Sequence, residues 1–104
     1  MKDLDTNDEF ISFTKDNKLA LVDFSATWCG PCKQLTPKVE ELSQEMTNIS
    51  FGKVDIEILA SVAEEFNIEG VPTLVLFKDG KEVDRQVGAI GKTALKTWLT
   101  KLST

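Results

Sequence analysis

The spacing of hydrophobic residues changes several times along the chain, and each change marks a new element of secondary structure. Residues 19–26 are almost continuously apolar, which is typical of a central strand covered on both faces. Residues 50–56 predict a second strand. Residues 73–78 and 82–87 flank the dipeptide Asp79-Gly80, which favours a two-residue β-hairpin turn.

Four further segments carry apolar residues at helical spacing. Thr6-Asn7-Asp8-Glu9 is a capping-box sequence, and it predicts the start of a short first helix. A second helix is expected from about residue 32 to residue 46, with Pro37 inside it as the cause of a kink. Apolar stripes at residues 59–66 and 95–102 predict the third and fourth helices.

The predicted order is helix, β-α-β, helix, β-hairpin, helix, and a weaker pattern predicts one more short strand around residues 2–4. A β-α-β unit joins parallel strands, whereas a hairpin joins antiparallel ones. We therefore expect an α/β fold with a mixed parallel and antiparallel central sheet, flanked by helices on both faces. The length suits a single domain over residues 1–104.

Composition narrows the classes of function. The 12 basic and 17 acidic residues give a net charge of −5, which argues against nucleic acid or an anionic membrane as the main partner. The first nine residues are polar and acidic, unlike a signal or transit peptide, and every apolar stretch is too short for a membrane span. A cytoplasmic protein is the expectation. In that reducing compartment a cysteine pair is rarely a structural link.

The run Trp28-Cys29-Gly30-Pro31-Cys32 lies where the central strand meets the second helix, and three structural interpretations compete for it. A structural zinc site needs four ligands, whereas the chain has two cysteines and no histidine. A stabilising disulfide that closes so short a loop contributes only about 2 kcal/mol. Two inert buried cysteines would be ordinary, but they leave the surrounding run unexplained.

Redox catalysis accounts for the position of the pair. Cys29 would lie at a helix N-terminus, where unpaired N–H groups and the helix dipole favour a thiolate. Pro31 suits the first turn of a helix, because its missing N–H costs nothing there. Cys32 is one turn further on, within reach of Cys29. The pattern predicts thiol–disulfide exchange in which one thiol attacks and the other resolves.

Asp23 is the one charged residue in the apolar strand, and the residues alone leave two interpretations open. If the strand is less covered there, the carboxylate meets water. If it is buried, desolvation raises its pKa into a range useful for proton transfer.

The chain resembles the thioredoxin family, and the resemblance covers essentially its whole length. It is carried by the segment VDFSATWCGPCK at residues 22–33, by Val71-Pro72-Thr73, by Asp79-Gly80 and by Val87-Gly88. The resemblance implies a thioredoxin fold and the reduction of protein disulfides by Cys29 and Cys32. It also implies that neither a metal nor a bound organic cofactor is needed.

The resemblance also implies roles for residues around the dithiol. Asp23 lies behind the dithiol in this family and assists deprotonation of Cys32. Lys53 corresponds to a lysine beside that Asp, and its charge is expected to lower the Asp23 pKa. Pro72 is expected in the cis form, so that the Val71 backbone meets an extended substrate segment. The residues that correspond to the family's substrate-binding surface are Trp28, Gly30, Pro31, Val71, Pro72 and Gly88.

Three of these residues also have plainer interpretations. Trp28 could be an ordinary packing aromatic, Gly88 a turn glycine and Lys53 a surface lysine. The partners that the resemblance implies are client proteins with disulfides and a flavoprotein thioredoxin reductase, through which NADPH is used only indirectly. The chain would act as a monomer in electron transport and cell redox homeostasis. Two alternatives remain: a non-catalytic binding subunit, and a disulfide oxidase or isomerase on the same fold.

Overall fold

The computed structural model describes residues 1–103, which form five strands and four helices. Each strand and helix predicted from the hydrophobic pattern is present. In chain order the elements are β1 (Lys2–Asp3), α1 (Asn7–Asp16), β2 (Leu19–Ser25), α2 (Gly30–Glu45), β3 (Ser50–Asp55), α3 (Ala60–Glu65), β4 (Thr73–Lys78), β5 (Lys81–Val87) and α4 (Lys92–Leu102).

The strands form one mixed sheet in the order β1-β3-β2-β4-β5. β1 and β2 both run parallel to β3, whereas β4 is antiparallel to β2 and to β5. This confirms the predicted sheet. β2 is the central strand, so its side chains must be covered on both faces.

Two local signals form as their sequences predict. The Thr6 hydroxyl oxygen accepts a hydrogen bond of 3.1 Å from the Glu9 N–H and so caps α1. Asp79 and Gly80 have φ angles of 53° and 83°, the positive values that a type I′ hairpin turn requires.

The alternation of side chains along β2 divides the core into two layers. Leu19 and Leu21 point to the face covered by α2 and α4, whereas Val22 and Phe24 point to the face covered by α1 and α3. Because successive side chains alternate, Asp23 shares the face of Leu19 and Leu21. The helices contribute Leu35, Val39, Leu42, Leu95 and Leu99 to the first layer and Phe10, Phe13 and Val62 to the second.

The start of α2 determines where the cysteines lie. The helix begins at Gly30, two residues before the predicted start, with Pro31 in its first turn and Cys29 as its N-cap. It continues through Pro37 to Glu45. Since α2 covers the face of β2 that carries Asp23, its first turns lie over that carboxyl group. No helix among the described residues is long and apolar enough to cross a membrane.

Candidate active site

Cys29 and Cys32 form a disulfide at the N-terminus of α2, and their Cα atoms are 5.3 Å apart. They are the only cysteines of the chain. Both residues are buried, Cys29 with 4% and Cys32 with 1% of its surface exposed. Ala26, Ile56 and Val71 form the apolar surroundings of the pair.

The backbone around Cys29 favours a negative charge on its sulfur. The Cys32 N–H donates a hydrogen bond to Cys29 Sγ over 3.2 Å, and Cys29 occupies the N-cap position, where the helix dipole is positive. Both effects favour a thiolate over a thiol once the disulfide is reduced. Cys29 Sγ also lies 3.6 Å from the Val71 carbonyl oxygen, which places the sulfur beside the chain segment before Pro72.

Asp23 is completely buried, so the interpretation in which it meets water is wrong. The Thr36 hydroxyl donates a hydrogen bond of 3.1 Å to Asp23 Oδ2, while Oδ1 has no hydrogen-bond partner among residues 1–103. Burial raises the pKa of Asp23 to about 6, and the Thr36 hydrogen bond and the charge of Lys53 oppose this rise. Lys53 is the register partner of Asp23 on β3.

An open cleft of about 560 Å³ borders the site on the side of α2 and β3. Cys32, Thr36 and Lys53 all line it, so the groups around the buried Asp23 carboxyl can be reached from this side. Trp28 and Val71 do not line it. The dithiol therefore has two different surroundings, the cleft behind Cys32 and the surface beside Cys29.

Most residues predicted to bind substrate are exposed or half-buried beside Cys29, whereas Pro72 is buried beneath them. Trp28 is 66% exposed, so it is not a core aromatic, and Gly30 and Pro31 are exposed beside it. The Val71–Pro72 peptide bond is cis, as the resemblance implies. Gly88, with a φ of 91°, donates its N–H to the Pro72 carbonyl oxygen over 2.8 Å, and this joins the two segments.

Two residues near the dithiol, Thr36 and Val87, were not predicted from the sequence to be site residues. Thr36 contacts Asp23, and its spacing of four residues from Cys32 is the signal that could have indicated it, because residues i and i+4 share a helix face. Val87 is 67% exposed next to Gly88 and extends the apolar surface. Val87-Gly88 is one of the segments that carry the family resemblance, but the resemblance assigned no role to Val87 itself.

Comparisons with known proteins agree with this arrangement. The family model described as Thioredoxin matches residues 3–101. The chain belongs to the thioredoxin family. Thioredoxin from Chlamydia caviae is 52% identical over 77 residues, which are 74% of this chain and 76% of that protein. Thioredoxin-2 from Pyricularia oryzae is 48% identical over 81 residues, 78% of this chain but only 47% of that longer protein.

A solved structure agrees over almost the whole chain. The thioredoxin of Plasmodium falciparum superposes with a TM-score of 0.92 and 40% sequence identity, and the match covers 97% of this chain and 98% of that one. The predicted thioredoxin fold is confirmed. The chain is a protein-disulfide oxidoreductase of the reductase type, and its redox-active CxxC pair is Cys29 and Cys32. Thioredoxins need no cofactor, and residues 1–103 contain no group of three or more acidic or cysteine side chains that could hold a metal ion.

Replacing Asp23 by Asn tests the burial of its charge. The folded-state pKa near 6 lies above the ordinary value of 3.8, so the folded protein binds this proton more tightly than the unfolded chain. The tighter binding of this proton therefore stabilises the folded protein fully below about pH 4, and this stabilisation is lost as the pH rises through 6. We expect Asp23→Asn to exceed the parent in free energy of unfolding by up to about 3 kcal/mol at pH 8 and by almost nothing at about pH 2.5, well below the unfolded-state pKa.

Urea unfolding of both oxidised proteins from about pH 2.5 to pH 8 measures this difference. The points at the acid end serve as the internal control, because the parent carboxyl is neutral in both states only well below its unfolded-state pKa of 3.8. A difference that does not change with pH would show that packing, not charge, distinguishes the two proteins.

Proposed function

We propose that this thioredoxin reduces disulfides in client proteins through two exchange steps, with Cys29 as the attacking residue and Cys32 as the resolving residue. The observation that carries the proposal is the position of Cys29 Sγ. It lies at the N-terminus of α2, accepts the Cys32 N–H over 3.2 Å and is flanked by the exposed Trp28.

In the first step the Cys29 thiolate attacks one sulfur of a client disulfide. A new disulfide forms between Cys29 and the client, and the second client sulfur leaves as a thiolate. The Cys32 N–H and the helix N-terminus lower the free energy of the Cys29 thiolate, which raises its population near neutral pH.

In the second step the Cys32 thiol loses its proton and attacks Cys29 Sγ. The mixed disulfide breaks, the client leaves with both of its sulfurs reduced, and the Cys29–Cys32 disulfide remains. Two electrons have then passed to the client. Asp23 would take the Cys32 proton, because no group in the described part of the chain donates to its Oδ1 and its pKa of about 6 leaves it mostly ionised at neutral pH. Lys53 would keep that pKa from rising further.

The client would bind on the surface beside Cys29. An extended segment could pair with the backbone of Val71, whose carbonyl oxygen lies 3.6 Å from Cys29 Sγ, in a form of strand addition. Pro72 and Gly88 would shape this edge, while Trp28, Gly30 and Pro31 would provide the exposed contact on the other side of the sulfur.

The oxidised protein would return to the dithiol by exchange with a thioredoxin reductase, with NADPH as the indirect source of electrons. A dithiol that acts as a reductant works in a reducing compartment, which favours the cytoplasm. We propose that residues 1–104 act there as a single domain and a monomer in electron transport and redox homeostasis. The net charge of −5 supports protein clients over nucleic acid.

Serine variants of the two cysteines test the assignment of roles. Cys29→Ser should abolish reduction of a protein disulfide such as insulin without covalent adducts, because the attacking sulfur is lost. Cys32→Ser should also stop turnover, but only after Cys29 has been captured in mixed disulfides that nothing resolves. Non-reducing gels and mass spectrometry of both variants after incubation with client measure this. Adducts that form through Cys32 would reverse the assignment.

Trp28→Ala tests the client-binding surface. Loss of this exposed side chain should lower kcat/KM for insulin by about tenfold, the size of a strong interface contact. The reaction with a small disulfide such as 5,5′-dithiobis(2-nitrobenzoate) should be unchanged, because that compound needs no protein-sized surface. Ile11→Ala, which truncates a 46%-exposed side chain on α1, is the matched control and should leave both rates unchanged. Equal losses for both substrates in Trp28→Ala would show that Trp28 supports the dithiol itself.

A further inference from the structure

The hydroxyl of Thr36 makes a contact that is unusual for a threonine within a helix. Such hydroxyls commonly donate to a backbone carbonyl three or four residues earlier. Thr14 in α1 does this, with hydrogen bonds of 3.1 Å to the Phe10 carbonyl and 3.2 Å to the Ile11 carbonyl. Thr36 instead donates across to Asp23 Oδ2, on the neighbouring strand β2.

Because of this contact, the two oxygens of the Asp23 carboxyl have different surroundings. Oδ2 accepts the Thr36 hydrogen bond, while Oδ1 is buried and accepts none from the residues that the structure describes. Since a carboxylate can rotate about its Cβ–Cγ bond, a hydrogen bond to one oxygen fixes the direction of the other. Thr36 thereby leaves Oδ1 as the oxygen available to accept a proton.

We propose that Thr36 is a positioning residue for Asp23: its hydroxyl orients the buried carboxyl and stabilises its ionised form, so that Asp23 can accept the Cys32 proton at neutral pH. This inference rests on the role proposed above for Asp23. It adds a residue that lies one helical turn after Cys32, on the same face of α2.

The position of Thr36 between the carboxyl and the solvent supports this role. Asp23 is fully buried, whereas Thr36 is half-buried and lines the cleft behind Cys32. The Thr36 hydrogen bond is the largest effect that opposes the rise in the Asp23 pKa due to burial, and it exceeds the effect of the Lys53 charge. The ionised carboxyl is therefore stabilised by Thr36 as well as by Lys53.

Asp23 has apolar neighbours on its own face of the sheet, and the charged residues around it line the cleft. On the same sheet face, its β4 neighbour Leu74 is apolar, and α4 contributes the apolar Leu95 and Leu99. Cys32 does not titrate while it is in the disulfide. The charged residues that line the cleft are Asp3, Asp5, Lys33, Lys53 and Asp55.

Thr36→Val keeps the shape of the side chain and removes only the hydroxyl, whereas Thr36→Ser keeps the hydroxyl. The direct measurement is the titration of the Asp23 carboxyl carbon by NMR in the oxidised proteins, assigned with Asp23→Asn. Thr36→Val should move the midpoint upward by about one pH unit, since the lost hydrogen bond is to a charged group. Thr36→Ser should titrate as the parent does. Thr14→Val, which removes a helix hydroxyl from the other face of the sheet, should not move it either.

The pH profile of insulin reduction is the second measurement. With a midpoint one unit higher, Thr36→Val should lose about fivefold in rate at pH 6, about twofold at pH 7 and almost nothing at pH 8. Thr36→Ser should restore the parent profile.

The outcomes separate this inference from the proposed function. An unmoved Asp23 midpoint in Thr36→Val, or an equal rate loss at every pH, would overturn the role of Thr36. If Asp23→Asn itself leaves the rate and its pH profile unchanged, the role of Asp23 in proton transfer fails first. In that case a shifted Asp23 midpoint in Thr36→Val would show only that Thr36 affects a carboxyl that takes no part in the reaction. The positioning role of Thr36 would then be overturned as well.

Discussion

The carboxyl group of Asp23 is buried between the central strand and the helix that carries the dithiol, and this burial links the fold to the chemistry. A carboxylate in such a place raises the free energy of the folded state at neutral pH, because nothing in the core replaces its water fully. The alternation of β2 fixes the face on which Asp23 lies, and α2 covers that face. The same packing that destabilises the charge also brings Asp23 into contact with Thr36, one helical turn after Cys32.

The N-terminus of α2 gives the two cysteines different properties, although only two residues separate them. Cys29 is the N-cap, receives the Cys32 N–H and lies beside Val71 and the exposed Trp28. Cys32 is in the first turn, faces the cleft and is more deeply buried. The two sulfurs therefore have different neighbours, the Val71 backbone for Cys29 and the cleft for Cys32. An exchange reaction with one attacking and one resolving thiol needs this difference.

Most of the fold was predictable from the sequence because its elements have clear periods. The continuous apolar run of β2, the Asp79-Gly80 turn and the Thr6 cap each specify a local structure that tertiary packing preserves. The burial of Asp23 was not predictable from local pattern, because it depends on which element covers β2. The contact of Thr36 depends on the same packing. The cis Val71–Pro72 bond followed only from the family resemblance, since X–Pro bonds ordinarily favour trans.

The central claim is that the Cys29–Cys32 pair acts as a reductant, and its equilibrium with small thiols tests this most directly. The oxidised protein would be incubated with graded mixtures of reduced and oxidised glutathione, and separately of dithiothreitol, and the fraction of dithiol measured by mass spectrometry after alkylation. A reductase predicts that the disulfide resists an excess of glutathione and is reduced by dithiothreitol. Ready reduction by glutathione would contradict the account and identify the pair as an oxidant.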